Sequence, residues 1–217
     1  MTGLIVKDLC SLRKQMKTML FVALIYVGFM VTSDSIGMTS GVIIMLCVTL
    51  PISTFSWDDF TKWDQYARSL PLERRVIVAS KYVLAILMHA GAIGIMTLLS
   101  AAYDLLWKQY GLDRFQQDVM AVLSIAGVGM ILVAILFPLL YKLGVEKARI
   151  AMLLVFGAPF AVVLVVMQMD LEPPAFLTSS MFETLARHLP VLLVLFGVLC
   201  LLLSFLVSVR IYERKEV

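Results

Sequence analysis

Six long intervals of this chain contain no Asp, Glu, Lys or Arg, and that spacing constrains its fold more than any other feature. The intervals cover residues 18–33, 35–57, 82–103, 119–141, 150–169 and 188–209. A bilayer core about 30 Å thick is crossed by about 20 helical residues, so each interval reads as a transmembrane helix. The first is the shortest, at 16 residues. Its helix covers about 24 Å, which requires Lys17 and Asp34 to lie near the two interfaces with the lysine stem snorkelling. A re-entrant pair built from the first two intervals is the competing arrangement, but the short Asp34-Ser35-Ile36-Gly37 segment suits two antiparallel helices better, because exposed backbone is not tolerated in lipid. Hydrophobic residues make up 61% of the chain and charged ones 15%, with a mean hydropathy of +0.97, outside the usual range of a soluble domain. The expected fold is an all-α membrane protein of one transmembrane domain over residues 1–217, with spans at about 18–34, 36–57, 80–103, 119–141, 149–169 and 187–210.

Six spans divide the 18 basic residues into groups of fifteen and three. The larger group surrounds both termini and the second and fourth connections; the smaller is Lys108, Arg114 and Arg187, accompanied by seven acidic residues from Asp34 to Glu183. Cytoplasmic loops are enriched in Lys and Arg, so both termini are expected in the cytoplasm and the protein in the inner (cytoplasmic) membrane. The net charge of +3 is then a topology signal and a means of meeting anionic lipid; it gives no reason to expect nucleic acid. Residues 1–17 are polar and amphipathic, with no small-residue cleavage site, and are expected to be retained. Cys10, Cys47 and Cys200 have no close spacing and read as packing residues, with neither a disulfide framework nor a metal site indicated.

Ile5, Leu9, Leu12 and Met16 recur at helical spacing, an apolar stripe opposite Lys7, Arg13, Lys14 and Lys17. This predicts an interfacial amphipathic helix before the first span. In the segment WDDFTKWDQYARSLPLERRVIVASKY, residues 57–82, Asp58 and Asp59 are placed to open a short helix. Phe60, Trp63, Ala67 and Leu70 follow on one face, and Pro71 ends the helix near Ser69. A second helix restarts near Leu72. Pro138, the Gly157-Ala158-Pro159 run and Pro190 are expected to bend their helices, while Pro173 and Pro174 close the fifth. Small residues at Gly37/Gly41, Ala90/Gly91/Gly94 and Gly127/Gly129 permit close helix approach.

The chain contains no Gly-x-x-x-x-Gly-Lys-Ser/Thr loop, so ATP hydrolysis is not expected from it. His-Glu-x-x-His and Gly-x-Ser-x-Gly motifs are also missing. His89 is the one titratable group well inside a span; it reads as an interhelical hydrogen-bonding group, since a proton relay requires a chain of partners. Spans without charge suit an amphipathic or hydrophobic cargo better than ions or sugars.

Asp58-Asp59, Lys62-Trp63-Asp64, Tyr66, Ser69-Leu70-Pro71, Arg74, Ile77-Val78 and Lys81-Tyr82 together resemble the signature of small ABC-2 type transporter permeases. That family includes bacterial exporters of phenol-soluble modulins and of antimicrobial peptides. The chain departs from the signature in having Asp-Asp where Asp-Glu is common, and Leu72-Glu73 in place of a small polar residue. The resemblance implies a membrane subunit without catalysis of its own, with ATP and Mg held by a separate cytoplasmic ABC ATPase and no cofactor in this chain. It implies a second permease copy, identical or related, and a peptide cargo. It also implies that the helix between spans two and three is a coupling helix contacting the ATPase, through Asp58, Asp59, Phe60, Trp63, Tyr66, Arg68, Leu70, Pro71, Arg74 and Arg75. The competing readings, a secondary transporter or a membrane-embedded enzyme without an ATPase, would need polar groups at mid-membrane.

Overall fold

The computed structural model describes residues 2–33, 36–69, 73–107, 112–168 and 180–214. Those residues are helical apart from short connections, with no strand among them. In chain order the helices are α1 (Thr2–Ser33), α2 (Ile36–Phe60), α3 (Trp63–Ser69), α4 (Arg74–Trp107), α5 (Leu112–Gln168) and α6 (Ser180–Arg214). Four described stretches are long and apolar enough to cross a membrane: Thr39–Phe60, Arg74–Leu105, Phe115–Ala148 and His188–Arg214. The first predicted span lies in α1, whose apolar part Gln15–Gly28 is shorter. The fifth lies in the far arm of α5, where most side chains are outside the described residues.

The helix boundaries differ from the sequence expectation in three places. α1 is a single 32-residue helix, with no turn separating an interfacial segment from the first span. The second half of the chain is joined by α5, whose helical path is interrupted only at Gly144, with φ 73° and ψ 170°. That conformation is essentially restricted to glycine, and it allows two helical arms to meet without a loop between Lys142 and Lys147. Finally, α6 starts at Ser180 and continues through Pro190. The segments containing Asp34-Ser35, Leu70-Pro71-Leu72 and Pro173-Pro174 lie outside the described residues.

Contacts place the basic ends of the helices together. Lys7 of α1 reaches Asp58 of α2, and Lys81 of α4 reaches both Asp8 and Asp58. Tyr141, just before the Gly144 break, stacks edge-on to Tyr212 of α6 at 5.6 Å. At the opposite end, Ser100 donates to Asp118 at 3.3 Å and Thr39 donates to the Tyr26 carbonyl at 3.3 Å. A core of Phe55, Tyr82, Phe137, Tyr141 and Tyr212 fills the basic end, and Ile44, Ala92, Met96, Val122 and Ala126 fill the other.

Glycine permits close helix approach between α5 and α6. A Cβ on Gly127 would stand 2.8 Å from the Leu193 backbone, and one on Gly197 would stand 2.9 Å from Met130 Cβ and 3.1 Å from the Gly127 carbonyl. Gly129 lies against His89, whose Nε2 would be 3.0 Å from an added Cβ. The other small-residue patches act differently: added Cβ atoms on Gly41, Gly91 and Gly94 would meet nothing within 4 Å. Cys10 is exposed, unlike the half-buried Cys47 and Cys200, and so does not pack.

Candidate functional site

The first turns of α1 bury Leu4, Asp8 and Leu12, residues four apart and therefore on one helical face. An aspartate in the middle of that apolar stripe, 1% exposed, needs compensation, because a buried charge is tolerated only when paired and hydrogen-bonded. Lys81 of α4 supplies it, with Nζ donating to Asp8 Oδ1 at 2.9 Å. The same Nζ lies 2.6 Å from Asp58 Oδ2 and donates to Thr54 Oγ1 at 3.0 Å. All three ammonium protons are thereby engaged. Lys7 completes the ring, 3.0 Å from Asp8 Oδ1 and 2.6 Å from Asp58 Oδ1. Two lysines and two aspartates thus alternate in a closed, electrically neutral square joining the ends of α1, α2 and α4.

The square explains why Asp58 sits where it does. It lies in the last turn of α2 and not at the start of the next helix, as the sequence suggested. Nothing in Ser56-Trp57-Asp58-Asp59 breaks the helix, and the chain turns only at Lys62, whose φ is 52°. A carboxylate is electrostatically unfavourable at a helix C-terminus, and the two ammonium groups offset that cost. Past the turn, α3 folds back so that the Trp63 ring lies 4.2 Å from Lys7 Nζ, a cation–π distance.

α3 is also held from the far side of the bundle. Tyr212 of α6 donates to Asp64 Oδ1 at 3.4 Å. The start of α4 is tied to the end of α6 by Arg74, which donates to the Glu213 carbonyl at 2.7 Å, and by Arg75, 3.3 Å from the Glu213 carboxylate. Deeper in, Tyr82 hydrogen-bonds Ser204 and Ser208 at 2.7 Å each, and Ser204 donates to the Ala134 carbonyl at 2.6 Å. Directly or through the charge square, these contacts link α3 to α1, α2, α4 and α6. Among the described residues no group of three or more His, Cys, Asp or Glu is arranged to hold a metal.

Of the residues expected on the coupling helix, Asp58 and Trp63 belong to this network. Asp59 is exposed beside it. Phe60 is 82% exposed and Tyr66 58% exposed, so Phe60 does not share the inward face of Trp63; it meets Trp57 edge-on at 6.2 Å. Trp63 is half-buried against the core. Leu70, Pro71 and the Arg68 side chain lie outside the described residues. On α1, Leu12 is buried with Leu50 and Leu84, and Ile5 packs against them, but Leu9 and Met16 are exposed. The buried face is consequently Leu4-Asp8-Leu12. Sequence reasoning missed Asp8, Thr54 and the role of Lys81; the available signal was that Asp8 is the sole acidic residue before Asp34.

The family model described as "ABC-2 family transporter protein" matches residues 3–213. No curated protein and no solved structure matches the chain.

Proposed function

The chain belongs to the ABC-2 transporter family, and from that premise we propose that it is the permease subunit of an ABC exporter that moves amphipathic or hydrophobic peptides out of the cytoplasm. The family is a membrane transport component and not itself catalytic; in this reading ATP and Mg are bound and hydrolysed by a separate ABC ATPase. The permease works as a pair, with an identical or related second copy. It crosses the inner membrane six times with both termini in the cytoplasm. Supporting that orientation, the ends of α1 and α4 at the charge square, and the end of α6 tied to the start of α4, carry Lys7, Arg74, Arg75, Lys81, Arg210 and Arg214, as retained loops should.

The observation that carries the reading is the two-sidedness of the α2–α3 corner. Asp58 and Trp63 are held in and against the charge square, while Phe60 and Tyr66 are exposed, the Tyr66 ring resting on Trp63 at 5.4 Å. Exposed aromatic side chains of this kind are the usual anchors of a protein interface. The ATPase docks on Phe60 and Tyr66, and its movement is passed through Trp63 and Lys7 to α1, α2 and α4. Copurification of the ATPase and peptide-stimulated ATP hydrolysis test this. Phe60→Ala with Tyr66→Ala should weaken association by about 30-fold or more, a loss of about 2 kcal/mol, at normal membrane levels. If that double variant associates and exports normally while a change at Lys142 or Arg149 abolishes both, the contact lies in the segment around Gly144 and the assignment fails.

A further inference from the structure

We propose that Tyr141 of α5 is a second anchor for Asp64 of α3: Asp64 accepts from Tyr212 in the arrangement described above and from Tyr141 once the ATP-bound ATPase displaces α3, with Gly144 as the adjoining hinge. This inference rests on the reading of α3 as the element that the ATPase moves. The Tyr141 side chain is 7% exposed, and its hydroxyl is buried with no hydrogen-bond partner among the described residues. A buried donor left unpaired carries the full cost of its desolvation, so an arrangement that brings it an acceptor is favoured. Asp64 and Asp58 are the carboxylates close enough to act on this hydroxyl electrostatically. Asp58 is engaged by Lys7 and Lys81. Asp64 instead accepts from Tyr212 at 3.4 Å, beyond the usual O–H···O range of about 2.5–3.0 Å. Of the two, it is the acceptor held by the weaker bond.

The packing permits the exchange. The Tyr141 and Tyr212 rings meet edge-on at 5.6 Å, so the phenol in use and the spare one are neighbours. Val145 and Ala148, just past Gly144, are buried in one core with Ala67 of α3 and with both tyrosines. Displacing α3 therefore disturbs the packing on either side of Gly144. That residue has φ 73° and ψ 170°, and a Cβ added to it would meet nothing within 4 Å. No neighbouring side chain fixes its backbone, and a glycine passes between such conformations with little steric penalty. Small changes of φ and ψ there let the Tyr141 end of α5 follow Asp64, as hinges at a few residues do in domain movements.

The test applies double-mutant cycles to the full-length permease, alone and in complex with its copurified ABC ATPase, the complex being trapped with ATP, Mg and vanadate. In the permease alone, Tyr141→Phe should leave Tm within about 1 °C of wild type, since no bond is lost. Tyr212→Phe and Asp64→Ala should each lower it by about 2–4 °C, and their effects should not add. In the complex the pairing should change. Tyr141→Phe and Asp64→Ala should each reduce the vanadate-trapped fraction about tenfold, again without adding, while Tyr212→Phe should not reduce it. Asp64→Asn, whose amide oxygen still accepts, should trap more than Asp64→Ala. A Tyr141→Phe permease that loses about 2–4 °C by itself would overturn the proposal, because its hydroxyl would already be bonded, for example to a buried water. Normal trapping by Tyr141→Phe, or additive losses with Asp64→Ala, would overturn it while leaving the ATPase contact in place. A wild type that copurifies no ATPase would overturn the contact and this exchange together.

Discussion

Removing the carboxylate of Asp8 leaves the charge square with two ammonium groups and one carboxylate, and the side chains of Asp8 and Lys81 are only 1% and 5% exposed. Breaking a buried pair by deleting one partner costs about 3–5 kcal/mol, because the remaining charge stays buried without compensation. For a chain of this size 1 kcal/mol shifts the unfolding midpoint by about 2–4 °C, so Asp8→Asn should lower Tm by roughly 6–20 °C. The same reasoning gives an opposite result for the double variant. Asp8→Leu with Lys81→Met removes both charges and leaves Lys7 with Asp58, 2.6 Å apart. Replacing a buried pair by apolar groups is commonly neutral or stabilising, so at least half of the lost Tm should return. Scanning fluorimetry in detergent is the assay, and Trp63 is a built-in reporter because its ring lies over Lys7. An Asp8→Asn midpoint within 2 °C of the wild type, or a double variant no more stable than the single one, would refute the argument that the square is a coupled, desolvated unit.

Gly144→Ala forces a side chain into a glycine-only conformation and should cost about 1–3 kcal/mol, measured by thermal unfolding alongside export activity. Gly197→Val should cost about 1–3 kcal/mol through overpacking against Met130 and the Gly127 backbone, while Gly91→Ala, whose added methyl meets nothing within 4 Å, should stay within about 0.5 kcal/mol of wild type. Trp63→Ala should cost about 2 kcal/mol of stability, roughly half the value of a fully buried aromatic, and so lower Tm as well as coupling; an unchanged Tm would mean that the ring contributes nothing inside the bundle. A cysteine introduced beside Lys108, in a background lacking Cys10, Cys47 and Cys200, should be labelled only from outside sealed cells; labelling only from the cytoplasm would defeat the proposed topology.

Much of the helical layout was legible because it follows from a single physical demand, that lipid excludes charge and unpaired backbone. Thus α2, α4 and α6 fall on the uncharged intervals, and α3 ends at Ser69, just before Leu70-Pro71. What was not legible depended on which residues meet across the bundle. Pro190 does not end α6, since a membrane helix tolerates a missing hydrogen bond, whereas Gly144, which received no weight in the sequence, breaks α5. Inside the bundle the buried face of α1 is Leu4-Asp8-Leu12, which a periodicity scored on apolar residues alone does not pick out. Asp8 received no weight in the sequence, and its burial is made possible by Lys81, 73 positions along the chain.

The same limit explains why the aromatic residues of the α2–α3 corner read as a single surface in the sequence. Aromatic residues at helical spacing were grouped as one face, on the assumption that a helix begins at Asp58. Because α2 continues to Phe60 and Lys62 turns the chain with a positive φ, Phe60 is left exposed while Trp63 packs against the core. Three members of the family signature then acquire separate physical duties: Asp58 and Lys81 close the charge square, and Trp63 caps it. Lys7 and Asp8 lie outside the signature stretch but complete the same square, which ties the first helix of the chain to the corner that the proposed ATPase would move.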